Sequence, residues 1–173
     1  MNKSFLLTIL LTVFLSHILM GQGLKISETT KKYTVENEIS DETFVKDTLY
    51  KRTLKWLYMK FPETGSKGTY INASKNKIEA HQFFTPEPKE YRDLTNLRMG
   101  YVLTCRFDDR KFSYSFSSFY YFSSGDGKVP FDSRKFKQYD ILVRDKMLKD
   151  ADLYVKKLGT ELVTYLQSYK RKK

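Results

Sequence analysis

The polar and apolar residues that follow position 30 first show the period of a β-strand and then that of a helix. Residues 33–39 alternate between a partly apolar side and a polar side, which predicts a strand. Over residues 44–61 apolar side chains recur at spacings of three and four, which predicts an amphipathic helix. Pro62 blocks its extension. The helix is expected to begin at Ser40 or, after an irregular turn, at Asp47.

Two pairs of alternating segments follow and predict two β-hairpins. The first pair comprises residues 69–73 and 77–84, and the second comprises residues 99–107 and 111–122. In the last segment the alternation slips by one residue at Ser117-Ser118, which is what a β-bulge produces. The core-facing row of the second hairpin is predicted to contain Leu103, Cys105, Phe107, Phe112, Tyr114 and Phe116.

The remaining segments predict two loops and a final helix. Residues 85–96 are polar and interrupted by prolines, and residues 125–137 form a basic, glycine-containing segment, so both are expected to be surface loops. A closing helix over about residues 144–169 has an apolar stripe of Met147, Ala151, Val155, Leu158, Leu162 and Leu166. The predicted order is therefore strand, helix, four strands as two hairpins, and helix (β-α-β-β-β-β-α), an α+β domain.

The first residues follow the pattern of a secretory signal peptide. Lys3 precedes an apolar run over residues 5–20, and small or polar residues follow from Gly21. The run is shorter than the roughly 20 residues of a spanning helix, so a permanent anchor is the alternative interpretation. We expect cleavage near Gly21 or Gln22, with residues 1–22 as the signal peptide and residues 23–173 as one domain outside the cytoplasm. The leader contains no cysteine, which argues against a lipoprotein.

Composition limits the partners and the sources of stability. The formal net charge is +11, and 16% of the residues are aromatic, so a basic protein with a substantial core is expected. In an envelope the anionic partners would be phospholipid headgroups, lipopolysaccharide phosphates or acidic polymers. Nucleic acid is not expected because it lies in another compartment. Cys105 is the single cysteine, so no internal disulfide is expected, and it is interpreted as a small buried apolar residue.

The predicted order of elements and a short motif resemble a known family. The first helix contains Leu49 and Tyr50 followed by Trp56, and the hairpin after it contains Ile71 and Ile78. This pattern resembles exported Gram-negative bacterial proteins of unknown function with a TATA-binding-protein-like (TBP-like) fold. The resemblance implies a curved antiparallel sheet with both helices on one face. It implies no activity, because the family has no established catalytic residues to carry over.

If the aromatic row faces the helices, the opposite face of the sheet presents a mixed set of polar and aromatic side chains. We interpret this open face as a candidate binding site for an envelope protein or a glycan, through stacking and hydrogen bonds. A solvated sheet face is the alternative interpretation. The residues expected to form the site are Tyr70, Asn72, Glu79, His81 and Arg106.

The end of the chain predicts a second, different contact surface. Four consecutive basic residues follow the last helix, where they suit its negative pole. Each basic residue near an anionic lipid surface contributes about 1 kcal/mol of attraction. Contact with anionic lipid or lipopolysaccharide is therefore the alternative function, and it would use Lys170, Arg171, Lys172 and Lys173.

The sequence gives little support for catalysis, metals or cofactors. His81 is the only histidine after the leader, and with Glu79 it offers two ligands at most, so no metal site is expected. No Gly-x-Ser-x-Gly turn occurs, and Asp108, Asp109 and Asp126 lie in turn segments. We therefore expect no cofactor and a non-enzymatic binding or adaptor module, with a hydrolase as the remaining alternative.

Overall fold

The computed structural model describes residues 24–26, 32–64, 69–86 and 97–168. The expected loop at residues 85–96 and the basic residues 170–173 therefore lie largely or wholly outside the described part. The elements follow in the order β1 (Lys25–Ile26), β2 (Tyr33–Ser40), α1 (Lys46–Lys60), β3 (Tyr70–Ser74), β4 (Lys77–Phe84), β5 (Arg98–Asp108), β6 (Lys111–Ser123), β7 (Gly127–Pro130), α2 (Arg134–Lys137) and α3 (Ile141–Ser168).

Within the described residues, seven strands form one curved antiparallel sheet in the order β1-β2-β6-β5-β4-β3, with β7 beside β6. The two predicted hairpins are β3–β4 and β5–β6, and they pair with each other through β4 and β5. The first long strand, β2, pairs with β6 across a large sequence separation. This pairing gives the sheet its width on the β6 side.

Helix α1 begins at Lys46, close to the later of the two predicted starts. Asp41 instead forms a turn, because its Oδ1 accepts hydrogen bonds from the Thr43 N–H (2.9 Å) and the Thr43 hydroxyl (2.6 Å). The Lys46 N–H donates to Asp109 Oδ1 at 3.3 Å, so the turn between β5 and β6 supplies a partner for the helix start. The helix ends at Lys60, one residue before the predicted end.

The bulge predicted at Ser117-Ser118 is present in β6. Val102 pairs with Ser117 and Gly100 pairs with Tyr120, so β6 has one more residue than β5 over this interval. Ser118 has a φ of 54°, which lets the strand accommodate the extra residue. As a result, Phe119 and Tyr121 continue the buried aromatic row.

The prediction that residues 125–137 form only a loop is wrong. This segment contains strand β7, which pairs with β6, and the short helix α2. Asp126 organises it: its Oδ2 accepts from the hydroxyls of Tyr121 at 3.1 Å and of Tyr139, and its Oδ1 pairs with Lys135 Nζ at 2.9 Å. The sequence marked Asp126 as a turn former, but these contacts depend on the tertiary fold.

Both long helices lie on one face of the sheet, as the family resemblance implied. The core between them and the sheet contains the whole predicted aromatic row and the whole predicted stripe of α3. On α1, Leu49 and Trp56 are buried, and Tyr50 packs edge-on against Phe107 with 5.5 Å between ring centroids. Cys105 is fully buried, and burial raises the pKa of its thiol, as expected for an unreactive core residue.

Helix α3 approaches the sheet closely at Gly159. A Cβ placed on Gly159 would lie 2.6 Å from the hydroxyl oxygen of Tyr114 on β6. Asn37 on β2 donates through Nδ2 to the same oxygen at 3.2 Å. The glycine therefore makes room for a phenol that is hydrogen-bonded within the core.

Candidate functional site

The face of the sheet opposite the helices is built from alternate residues of β2 to β7. Cross-strand pairing arranges these residues in rows, and each row crosses several strands. One row runs from Asn72 through Glu79, Thr104 and Ser115 to Glu36, and the next contains Lys77, Arg106, Ser113 and Glu38. These two rows form a polar half of the open face. Towards the other end of the same strands, the rows that contain Phe83, Tyr120 and Phe122 form an aromatic half.

The polar half contains a groove of about 470 Å³. Its floor consists of the small residues Thr104, Ser113 and Ser115, and its sides include Arg106 on β5 and Glu36 on β2. Arg106 and Glu36 are exposed, and neither has an ion-pair partner among the described residues. The groove thus offers a guanidinium donor and a carboxylate acceptor on either side of three hydroxyl groups.

Two neighbouring acids at the groove are already paired. Glu38 forms an ion pair with Lys111 at 2.8 Å, and Glu79 forms one with Lys77 at 2.6 Å. Among the described residues, Glu36 is therefore the groove carboxylate that has no ion-pair partner.

Tyr70 and His81 form the border between the two halves. Their rings stack with centroids 4.0 Å apart and planes inclined at 16°, and Tyr70 keeps 48% of its surface exposed. Burial is the main cause that lowers the pKa of His81, and Lys128 lowers it further, while Glu79 opposes the shift. The imidazole is therefore neutral near pH 7.

The aromatic half carries two cations held against rings. Arg98 Cζ lies 4.7 Å from the ring centroid of Phe83 and 5.1 Å from that of Phe122. Lys128 Nζ lies 4.1 Å from the ring centroid of Tyr120, whose ring covers Gly100. We call these residues the cation–aromatic cluster: Phe83, Arg98, Tyr120, Phe122 and Lys128.

The structure thus places all five candidate residues of the open face on that face. Tyr70 and His81 are in contact, and Asn72 pairs with Glu79 in the adjacent row. Arg106 lies at the groove on β5, the strand next to the β4 residues Glu79 and His81. The other candidates, Lys170, Arg171, Lys172 and Lys173, lie outside the described residues.

Sequence reasoning missed Glu36 in the groove and both cations of the cation–aromatic cluster, Arg98 and Lys128. Arg98 and Gly100 follow from counting back in twos from Arg106, so the period of β5 was a usable signal. Glu36 depends on the pairing of β2 with β6, which no local pattern reveals. Lys128 reaches the face through β7, which the sequence predicted to be a loop.

The described residues contain neither a metal-binding cluster nor a membrane-spanning helix. No group of three or more His, Cys, Asp and Glu residues in the described ranges is placed to hold a metal ion. No helix in those ranges is long and apolar enough to cross a bilayer.

Comparison with known proteins places the chain in a family. Residues 26–122, more than half of the sequence, match the family described as a domain of unknown function (DUF4468) with TBP-like fold. The chain belongs to this family. The match contains α1, the groove and most of the cation–aromatic cluster, whereas β7, α2 and α3 follow it. No curated protein matches the sequence significantly.

Two crystal structures have the same fold as this DUF4468 protein. A DUF4468 family protein from Bacteroides ovatus aligns with a TM-score of 0.63 and 11% identity, over 87% of this chain and 94% of that chain. A TBP-like protein from Parabacteroides distasonis aligns with a TM-score of 0.65 and 11% identity, over 82% of this chain and 97% of that chain. At this identity the likeness concerns the fold, and it confirms the TBP-like architecture that the resemblance implied.

Proposed function

We propose that this protein is an exported, non-enzymatic module that binds another component of the bacterial envelope, a protein or a glycan, through the open face of its sheet. The main support is the groove, where Arg106 and Glu36 flank a floor of hydroxyl groups. Neither Arg106 nor Glu36 has an ion-pair partner among the described residues. Binding sites commonly combine a concave surface with a few converging polar groups. The apolar leader and its small-residue exit support export.

The groove supports binding better than hydrolysis. Glycosidases use two carboxyl groups, of which the general acid lies in an environment that raises its pKa. Here Glu36 and Glu38 are exposed, and Glu38 is ion-paired with Lys111. Exposed carboxylates in a shallow groove are suited to accepting hydrogen bonds from a ligand.

Charge reversal at the groove tests the proposal. We expect Arg106→Glu to abolish the retention of the folded protein on isolated envelopes, because it replaces a donor by a third acid beside Glu36 and Glu38. The melting temperature should change little, since Arg106 is exposed and forms no ion pair with another described residue. A sedimentation assay with envelopes would measure retention.

A matched variant controls for the change in net charge. Lys149→Glu alters an exposed cation on α3, away from the open face. It should leave retention within about twofold of the parent. Equal retention of Arg106→Glu and the parent protein would refute the proposed role of the groove.

The second candidate function is electrostatic association with anionic lipid or lipopolysaccharide through Lys170, Arg171, Lys172 and Lys173. The net charge of +11 supports it, because such a charge attracts any anionic surface. This candidate needs no groove, so it places the contact at the end of α3 and not on the sheet.

A further inference from the structure

We propose that the cation–aromatic cluster binds the acidic groups of an extended saccharide whose remaining units occupy the groove. This inference rests on the proposed function and names a ligand class for the same face. The acidic groups are carboxylates or phosphates, both of which guanidinium and ammonium groups recognise by charge-assisted hydrogen bonds.

The cluster holds two cations in place without neutralising them. The rings of Phe83 and Phe122 lie against Arg98, and the ring of Tyr120 lies against Lys128. Neither cation has a carboxylate partner among the described residues. Cation–π contacts restrict a side chain while leaving its N–H groups able to donate, so less conformational entropy is lost when an anion binds.

The two cations share one cross-strand row. Arg98 pairs with Phe122, and Phe122 pairs with Lys128, so the charges flank a single aromatic residue. Strands lie about 4.8 Å apart, which puts the backbones of Arg98 and Lys128 about 10 Å apart. His81, the nearest histidine, is neutral near pH 7 and adds no charge to this row.

The backbone of the face favours a saccharide over a peptide. Strands β4, β5 and β6 are each paired on both sides, so their backbone groups are committed to the sheet. An extended peptide crossing the face would bring its own backbone donors and acceptors to a surface that offers side chains alone. Sugar hydroxyls both donate and accept, and the hydroxyl floor between Arg106 and Glu36 matches that behaviour.

The packing of the rings favours a saccharide over a nucleic acid. Single-stranded nucleic acids bind by stacking bases on open ring faces. Here Tyr70 and His81 stack on each other, and Phe83, Phe122 and Tyr120 lie against cations. The cluster therefore presents oriented positive charge with few free ring faces.

The distance between the two halves requires an extended ligand. Arg106 and Arg98 are both on β5, and the strand rises about 3.3 Å per residue, so they lie roughly 26 Å apart along the strand. A single sugar would reach one half only. An oligosaccharide with acidic groups would reach both.

Calorimetric titration with two acidic oligosaccharides and one neutral oligosaccharide tests the inference. The probes are hexagalacturonate, which carries carboxylates, and maltohexaose, which is neutral; a phosphorylated mannan oligosaccharide represents phosphate. We expect an acidic probe to bind at least about tenfold more tightly than maltohexaose. Arg98→Gln and Lys128→Gln should each weaken acidic-probe binding by about tenfold and leave maltohexaose binding unchanged.

Two variants control for the change in net charge. Arg134→Gln and Lys149→Gln remove exposed charges outside the open face and should change acidic-probe affinity by less than about twofold. Arg98→Lys keeps the charge but lacks the planar fork, so it should fall between the parent and Arg98→Gln. Thermal melts of all variants show whether each remains folded.

Four results would overturn the inference. They are failure of both acidic probes to bind, equal affinity for acidic and neutral probes, tighter binding of a hexaglutamate peptide, and tighter binding of an oligothymidylate. If both acidic probes fail while Arg106→Glu still abolishes envelope retention, the ligand class is wrong and the proposed use of the open face stands. If Arg106→Glu also has no effect, both proposals fail.

Discussion

At the scale of single residues, Gly159 and Tyr114 show how a local cost supports the packing of the core. Glycine in a helix costs about 1 kcal/mol relative to alanine. Tyr114 nevertheless fills the space beside Gly159, with its ring between those of Phe112 and Phe116 at centroid distances of 5.9 and 5.8 Å. Its hydroxyl accepts from Asn37, which ties β2 to β6 inside the core.

We expect Gly159→Ala to destabilise the fold by about 1–2 kcal/mol, although alanine is the better helix former. The added Cβ would lie 2.6 Å from the Tyr114 hydroxyl oxygen, and the packed ring has little room to move away. Urea unfolding would measure the change. In a Tyr114→Phe background the penalty should shrink, because the closest atom is gone. A gain in stability from Gly159→Ala alone would contradict this account of the helix–sheet contact.

The sequence predicts which face of the sheet a single residue lies on, but not which residues lie beside it on the neighbouring strands. Tyr70, Asn72, Glu79, His81 and Arg106 were assigned to one face because the period of a strand fixes the side of each residue. Their neighbours across the sheet were not assigned, because cross-strand partners depend on tertiary pairing.

At the scale of elements, the β6 bulge and the segment after it determine the cation–aromatic cluster. The bulge shifts the phase of β6, so Tyr120 and Phe122 lie on the open face while Phe119 and Tyr121 remain buried. Strand β7 then adds Lys128 beside Phe122. Both elements are needed to place a cation on each side of that ring.

The hydrogen bonds to Asp126 are expected to stabilise β7 and α2. Bonds from Tyr139 and Lys135 are the main causes that lower the pKa of Asp126 to about 2. The pKa of an unfolded aspartate is about 4. Because the pKa is lower in the folded state, this contribution to the free energy of unfolding is full above about pH 4 and is lost as the pH falls towards 2.

Asp126→Asn should therefore lower the free energy of unfolding by about 1–2 kcal/mol at pH 7, since it removes charge-assisted hydrogen bonds. Urea unfolding from pH 7 down to pH 2 would measure the difference from the parent, which should narrow below about pH 4. Asp145→Asn, at an exposed position on α3, is the matched control and should have a small effect. A difference that stays constant from pH 7 to pH 2 would contradict the assigned role of the carboxylate.

Among the elements, those with a long and regular period were predictable. The two hairpins, the bulge, α1 and α3 all came from local alternation or helical spacing, and the structure contains each of them. Strands β1 and β7 and helix α2 have between two and four residues, which is too short to show a period. Asp126 and the edge of β6 hold β7 and α2 in place, and the sequence does not display these contacts.

At the scale of the whole molecule, the fold places the core and the candidate binding surface on opposite faces of the sheet. The helices and one face of the sheet enclose the aromatic core, and the opposite face carries the groove and the cation–aromatic cluster. Substitutions on the open face should therefore alter binding with little effect on stability. The TBP-like architecture of the DUF4468 family supplies the sheet, and the side chains of this chain supply its chemistry.

Site-specific photo-crosslinking in the native envelope tests the central claim most directly. A photoreactive residue replaces Arg106 in one variant, Lys170 in a second, and Lys149 on the helix side in a third. The account predicts that a discrete protein or glycan adduct forms at position 106 and is absent at position 149. Adducts at position 170 alone, with lipid as the captured species, would contradict the role of the open face and favour the basic end of the chain.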